Sequence, residues 1–246
     1  MAGHNKWSQI KHKKGAADAR RGKVFTRLAK EITIAAREGG SDITANPRLR
    51  TAIQSAKGVN MPKDNIEKAI KKGTGEIEGV NYEEIMYEGY GHGGVAILVE
   101  ALTDNKNRTV AEVRHIFSKY GGNMAEGGAV SWNFEKKGMI DVLSDGLEED
   151  DFMMQALELG AEDIEITDGI FIVYTIPTDL YKVVGLLDDN GFKVQKAEFT
   201  MIPKTTINAD DVAEGLLKLI DKLEDIDDIQ KLYSNFELSD EVMNRF

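Results

Sequence analysis

Apolar positions along this chain first recur at helical spacing and later alternate between strand and helix periods. From about Asp18 to Arg37, Phe25, Leu28, Ala29, Ile32 and Ala36 fall on one helical face, and Arg20, Lys23, Arg27, Lys30 and Arg37 fall opposite. Gly39–Gly40 ends that helix. Asn46 with Pro47 behind it predicts the start of a second, reaching about Val59. Met61-Pro62 opens a third, with Ile66, Ala69 and Ile70 inward and Gly73 as its stop. Residues 1–22 keep no stable period and read as a partly ordered arm that overlaps the start of the first helix. The expectation is a three-helix bundle over residues 1–79, closed by the glycine-rich run Gly73–Gly79.

Beyond it, strands and helices alternate. Met86–Gly91 and Val95–Leu102 read as strands, Thr109–Tyr120 as a helix and Ala129–Phe134 as a strand. From Gly138 a self-contained unit follows. Met139–Leu143 is a strand, Asp150–Leu159 a helix, Ile164–Thr167 and Ile170–Ile176 a strand pair, Asp179–Leu187 a helix and Lys193–Met201 a strand. That β-α-β-β-α-β order is the ferredoxin-like split motif. Asp210–Leu223 then reads as an amphipathic helix and Ile229–Phe236 as a strand that needs a sheet to join; residues 80–136 supply an incomplete one. The predicted fold is α+β and multidomain: a basic helical domain (1–79), a discontinuous α+β middle domain (80–137 plus 205–246) and an inserted ferredoxin-like domain (138–204).

Charge changes this picture most. The net charge is −11. Yet residues 1–78 hold 17 Lys/Arg against 8 Asp/Glu, so the remainder carries −20. Residues 138–204 are the acidic pole at −11. Such asymmetry points to nucleic acid or another anionic surface as partner of the basic piece. Lys6, Lys11, Lys13, Lys14, Arg20, Arg21, Lys23, Arg27 and Lys30 stand against a single acid, Asp18, in the first thirty residues. Fixed cations of this kind neutralise phosphates and release counterions, which gives affinity with little sequence preference. A solvated helix face is the ordinary alternative, but such faces mix both signs. Trp7, with His4 and His12 near it, either stacks on a base or, with Ile10, pins the arm to the bundle. In the third helix Lys63, Asn65, Lys68 and Lys72 form a further surface that could meet bases. Lys106 and Arg108 precede the helix predicted to start near Thr109 and are candidates for a secondary phosphate contact, with a simple capped loop as the alternative.

Other chemistry is not suggested. The run from Gly89 to Gly94 fits G-x-G-x-x-G, but a strand follows it where a dinucleotide site needs a helix N-terminus, so a hairpin turn is the better reading. The four histidines have no metal spacing, and there are no cysteines. Acidic runs such as Glu148–Asp151 and Asp225–Asp228 read as solvated helix caps. The expectation is no catalytic residue, no metal, no cofactor and no membrane span. A basic amphipathic start can be an organellar transit peptide, but serine is not enriched and the run continues into further helices.

The blocks AGHNKWSQIKHKKGAADARRGKVFTRLAKEI, NPRLRTAIQSAKGVNMPKDNIEKAIKKGTGE, YEGYGHGGVAILVEALTDNKNRTVAEVRHIFSKYGGN and SWNFEKKG resemble the YebC/PmpR family, densely to about residue 138 and more loosely beyond. The resemblance implies one helical and two α+β domains and cytoplasmic residence, and it implies that the basic start is no transit peptide, since bacterial members begin with it. Members are commonly named probable transcriptional regulators, with DNA binding reported for some. Others, including a mitochondrial translational activator, act on the ribosome, with relief of stalling at proline-rich stretches proposed. The family's usual GYGPGG is GYGHGG here, with His92 in place of proline. Two functions are therefore expected as alternatives. One is a DNA-binding regulator of transcription. The other is a ribosome-associated translation factor whose cations meet ribosomal RNA and whose acidic domain faces a basic protein surface.

Overall fold

The computed structural model describes residues 17–167 and 169–246. Helices α1 (Ala17–Gly39), α2 (Pro47–Gly58) and α3 (Lys63–Thr74) come first. There follow β1 (Glu83–Tyr90), β2 (Ala96–Thr103), α4 (Lys106–Lys119), β3 (Asn123–Ala125), β4 (Phe134–Leu143), α5 (Glu149–Glu158), β5 (Asp163–Thr167), β6 (Ile170–Thr175), α6 (Leu180–Asp189) and β7 (Val194–Pro203). The chain ends with β8 (Ile207–Asn208), α7 (Ala213–Glu224), β9 (Ile229–Ser234), β10 (Phe236–Glu237) and α8 (Asp240–Met243).

The helical part closes over Ile32, Ala35, Ala36, Leu49, Ala52, Ala56, Met61, Ile66 and Ala69. Its many alanines let the helix axes approach closely. The Asn46 side chain accepts from the Leu49 N–H and caps α2, with Pro47 in its first turn, where a missing N–H costs nothing. Gly73 has a different role from the one its sequence position suggests. It lies inside α3, where an added Cβ would come within 2.3 Å of the Thr33 carbonyl on α1. The stop is Gly75, in the left-handed region at φ 79°.

Two four-stranded sheets follow. One has the order β3-β1-β2-β9, all neighbours antiparallel. Helices α4 and α7 cover one face of it, burying Val113, Phe117, Leu216, Leu219, Ile220 and Leu223 against Ile97, Val99 and Leu232. The other has the order β5-β6-β4-β7, also antiparallel, with α5 and α6 on one face. This is the ferredoxin-like arrangement, and its core is built around the stacked pair Phe152 and Phe171 at 4.3 Å. The edge strands β7 and β9 meet. There Glu198 of β7 takes the ammonium groups of Lys196 and of Lys231 on β9, the latter at 2.8 Å. Burial works against ionisation of Glu198, but the two lysines outweigh it and hold its pKa down to about 2.

The predicted strand Ala129–Phe134 is absent. A short 3-10 turn at Ser131–Asn133 leads instead into one long strand, β4, which starts at Phe134. The cause is Glu88 on β1, a residue whose side chain is buried and accepts the backbone N–H groups of Gly128, Val130 and Ser131 at 2.7–2.9 Å. Those amides are thereby unavailable to a ladder.

Candidate nucleic-acid interface

On α1 the row Lys23, Arg27 and Lys30 occupies one face at helical spacing, as expected, but that face is not turned to solvent. It docks on the acidic turn between α7 and β9. The Lys23 ammonium donates to the Asp225 carbonyl at 2.8 Å and to its carboxylate at 3.2 Å, and Arg27 donates to the Glu224 carbonyl. Lys30 is buried, at 7% exposure. Its three protons go to the Leu102 carbonyl, the Asp227 carbonyl and the Asp228 carboxylate, at 3.1, 3.1 and 2.8 Å. The exposed helix face foreseen for these residues is thus corrected for Lys30. A lysine leaves water only when a matched acceptor set receives it, and that set comes from strand β2, 72 residues on, and from Asp227 and Asp228, 197 and 198 residues on.

Asp228 is the centre of this junction. Besides Lys30 it accepts from Arg108 at 2.6 Å, Thr109 at 2.8 Å and Thr103 at 3.0 Å. Burial pushes its carboxyl up, but the hydrogen bonds from Arg108, Lys30 and Thr109 outweigh this and hold it well below the ordinary carboxylate range. The run Asp225–Asp228, expected to be a solvated cap, is therefore the receptor for the basic helix. Arg108 also pairs with Asp104 at 2.8 Å, and Lys106 pairs with Glu83. Both candidates for a secondary phosphate contact have carboxylate partners, and Asn105 caps α4 through the Arg108 N–H.

Lys6, Lys11, Lys13 and Lys14, and with them Trp7, His4 and His12, lie outside the described residues, as do the side chains of Arg20 and Arg21. What the structure does describe is α3. Lys63, Asn65, Lys68, Lys71 and Lys72 are all exposed there, opposite the buried Ile66 and Ala69. Lys63 faces Glu67 at 3.4 Å. Among the described residues no ion pair engages Lys68, Lys71 or Lys72. A groove of about 310 Å³ between α1 and α3 is lined by Phe25, Thr26, Asn65, Lys68, Lys72 and Tyr82. Lys71 is an addition to the residues expected from the sequence; its signal there is simply its place between Lys68 and Lys72 on the polar arc of α3.

The Gly89–Gly94 run forms the β1–β2 turn, with Gly93 and Gly94 at positive φ. His92 packs between Gly121 and Gly215, where a Cβ on either would come within 2.8 Å of its ring. Among the described residues no group of three or more His, Cys, Asp or Glu is arranged to hold a metal ion. Nor is any helix among them long and apolar enough to cross a membrane.

Comparison with known proteins places this architecture. A crystal structure of a conserved hypothetical protein from Aquifex aeolicus superposes with a TM-score of 0.86 at 48% identity, over 96% of this chain and 98% of that one. A probable transcriptional regulatory protein of Desulfosudis oleivorans is 60% identical over 98% of this chain and 99% of its own length. One from Geobacter sulfurreducens is 58% identical over 100% and 99%. Residues 5–76 match the TACO1/YebC protein N-terminal domain, and residues 82–236 match the TACO1/YebC second and third domain. With both matches in chain order and together spanning most of its length, this chain belongs to the TACO1/YebC family.

Proposed function

We propose that this protein is a non-enzymatic, cytoplasmic regulator of gene expression that binds nucleic acid through its helical part, with DNA as the target that its relatives' names suggest. The observation that carries the reading is the exposed cluster Lys68, Lys71 and Lys72 beside the α1–α3 groove, left over after Lys23, Arg27 and Lys30 of α1 are engaged internally. Lys6, Lys11, Lys13, Lys14, Arg20 and Arg21 would add to the same field. Lysines supply phosphate contacts, which position a protein without reading sequence. Asn65 is the one amide side chain lining the groove, suited to a bidentate contact with adenine.

A second reading, a ribosome-associated translation factor, is favoured by the sparseness of such base-reading groups and by the −11 charge of residues 138–204. A long uniform duplex would repel that acidic unit, whereas a ribosomal surface offers RNA beside basic protein. The experiment is competition. Full-length protein is bound to labelled duplex DNA, and ribosomes or ribosomal RNA are added at equal phosphate concentration. Retention on one DNA site supports the transcriptional reading, transfer to ribosomal RNA supports the ribosomal one, and no binding to either at moderate salt defeats both.

A further inference from the structure

Trp132 is the most exposed large hydrophobic side chain among the described residues, at 66%. Its ring is nevertheless fixed. The indole Nε1 donates to the Ala129 carbonyl at 2.9 Å, and the Tyr90 hydroxyl donates to the same carbonyl at 2.9 Å. The loop beneath is tied on both sides. Glu88 grips the amides of Gly128, Val130 and Ser131, while the Asn133 side chain, 2% exposed, bonds the Thr205 backbone and hydroxyl at 2.8–3.1 Å. Burial would raise the Glu88 carboxyl, but the three backbone donors prevail and keep it below its ordinary value, so it stays a charged acceptor near neutral pH. The ordering of this aromatic pair is thus achieved before any partner arrives, which removes a cost that binding otherwise carries.

We propose that Trp132, with Tyr90 beside it, is a stacking platform for one unpaired nucleobase, an inference that rests on nucleic acid being the partner of this protein. The surroundings favour a base over a protein side. A protein interface core is a contiguous apolar patch, whereas the segment that carries this ring also exposes Glu126, Gly127, Gly128 and Ser131. One flat ring with open backbone around it fits one base, whose edge can then meet main-chain groups. The position also restricts the ligand. Tyr82 lines the lysine-bearing groove between α1 and α3, and Tyr90 lies eight residues further along the direction of β1, about 25 Å away at the rise of a strand. A ligand touching both must present phosphates at one place and a looped-out or single-stranded base at the other. Fully paired duplex does not.

The chain has two tryptophans, so Trp7→Phe leaves Trp132 as the sole indole. In that full-length variant, Trp132 emission is followed while an RNA hairpin with an unpaired loop, a DNA hairpin of the same sequence and the fully paired duplexes are added in turn. Strong quenching by the hairpins and none by the duplexes is the expected result; the ratio of the two hairpins tells whether the base comes from RNA or DNA. In the otherwise native chain, Trp132→Ala should weaken hairpin binding about tenfold, Trp132→Phe much less, and duplex binding should not change with either. Hairpin binding with no quenching and no weakening in Trp132→Ala overturns the stacking site but leaves nucleic-acid binding intact. Absence of binding by every nucleic acid overturns both. Quenching by RNA-free ribosomal protein alone would make the platform a protein contact and overturn the proposal.

Discussion

Two rows of cations run along the helical part, and they are used in opposite ways. Lys23, Arg27 and Lys30 on α1 are spent on the turn from Glu224 to Asp228, while Lys68, Lys71 and Lys72 on α3 stay in solvent. Both rows are long cationic side chains gathered on one arc of a helix. The difference lies in what the rest of the chain brings opposite. A net charge of +9 over residues 1–78 therefore overstates what is available to a polyanion, because part of it is neutralised by acids more than a hundred and ninety positions later. Charge asymmetry between segments has two physical outlets, an outside partner or another segment of the same chain; the second is used by Lys23, Arg27 and Lys30, and the first is what we propose for α3.

The largest effect should come from breaking the inward row. Asp228→Ala strands Lys30 without a counter-ion in a buried site and removes an acceptor from Arg108, so unfolding free energy should fall by about 3–5 kcal/mol, read by urea denaturation. A change near zero would mean that Lys30 escapes to water. Next in size is Gly73→Ala. Its methyl group meets the α1 backbone, so the helices must separate, at a cost of about 1–3 kcal/mol by the same assay.

Acid acts on the second junction, between β7 and β9. Glu198 has its pKa lowered from 4.5 to about 2 in the folded chain. A depressed native pKa adds stability that is complete above the unfolded value and is lost as pH falls through the folded one. The native chain should therefore lose stability between about pH 4.5 and 2, and Glu198→Gln should lose less over that interval. Equal acid limbs for the two chains would show that Lys196 and Lys231 do not favour the ionised form. The smallest effect belongs to the outward row. Replacing Lys68, Lys71 and Lys72 together with glutamine should change stability by no more than about 0.5 kcal/mol, because these side chains are exposed and glutamine keeps most of their aliphatic stem.

The helices and the ferredoxin-like unit were legible because each is specified locally, by Asn46 and Pro47 at a cap or by apolar spacing along α7. The ferredoxin-like order could be read because it is an order of elements, while its strand neighbours, β7 beside β4, came only with the structure. The strand expected at Ala129–Phe134 was lost to one side chain, Glu88, forty residues upstream and on another element. The burial of Lys30 was invisible for the same reason. Nothing near it in sequence distinguishes it from Lys23, which keeps 39% of its side chain in solvent. Trp132 stood within the resembling SWNF block, but its exposure depends on the Glu88 and Asn133 anchors, which spacing does not reveal.

The division of labour between the two rows is tested most directly by the salt dependence of duplex binding. The native chain, Lys68→Gln/Lys71→Gln/Lys72→Gln and Arg27→Gln/Lys30→Gln are compared at a temperature where circular dichroism shows all three folded. Each phosphate left without its cation flattens the log–log slope by about 0.9. The α3 triple variant should therefore show a slope flatter by about two to three units, and the α1 double variant should keep the native slope despite its lower stability. A native slope in the α3 variant, with flattening in the α1 variant, would contradict the assignment of α1 to the fold and α3 to the nucleic acid.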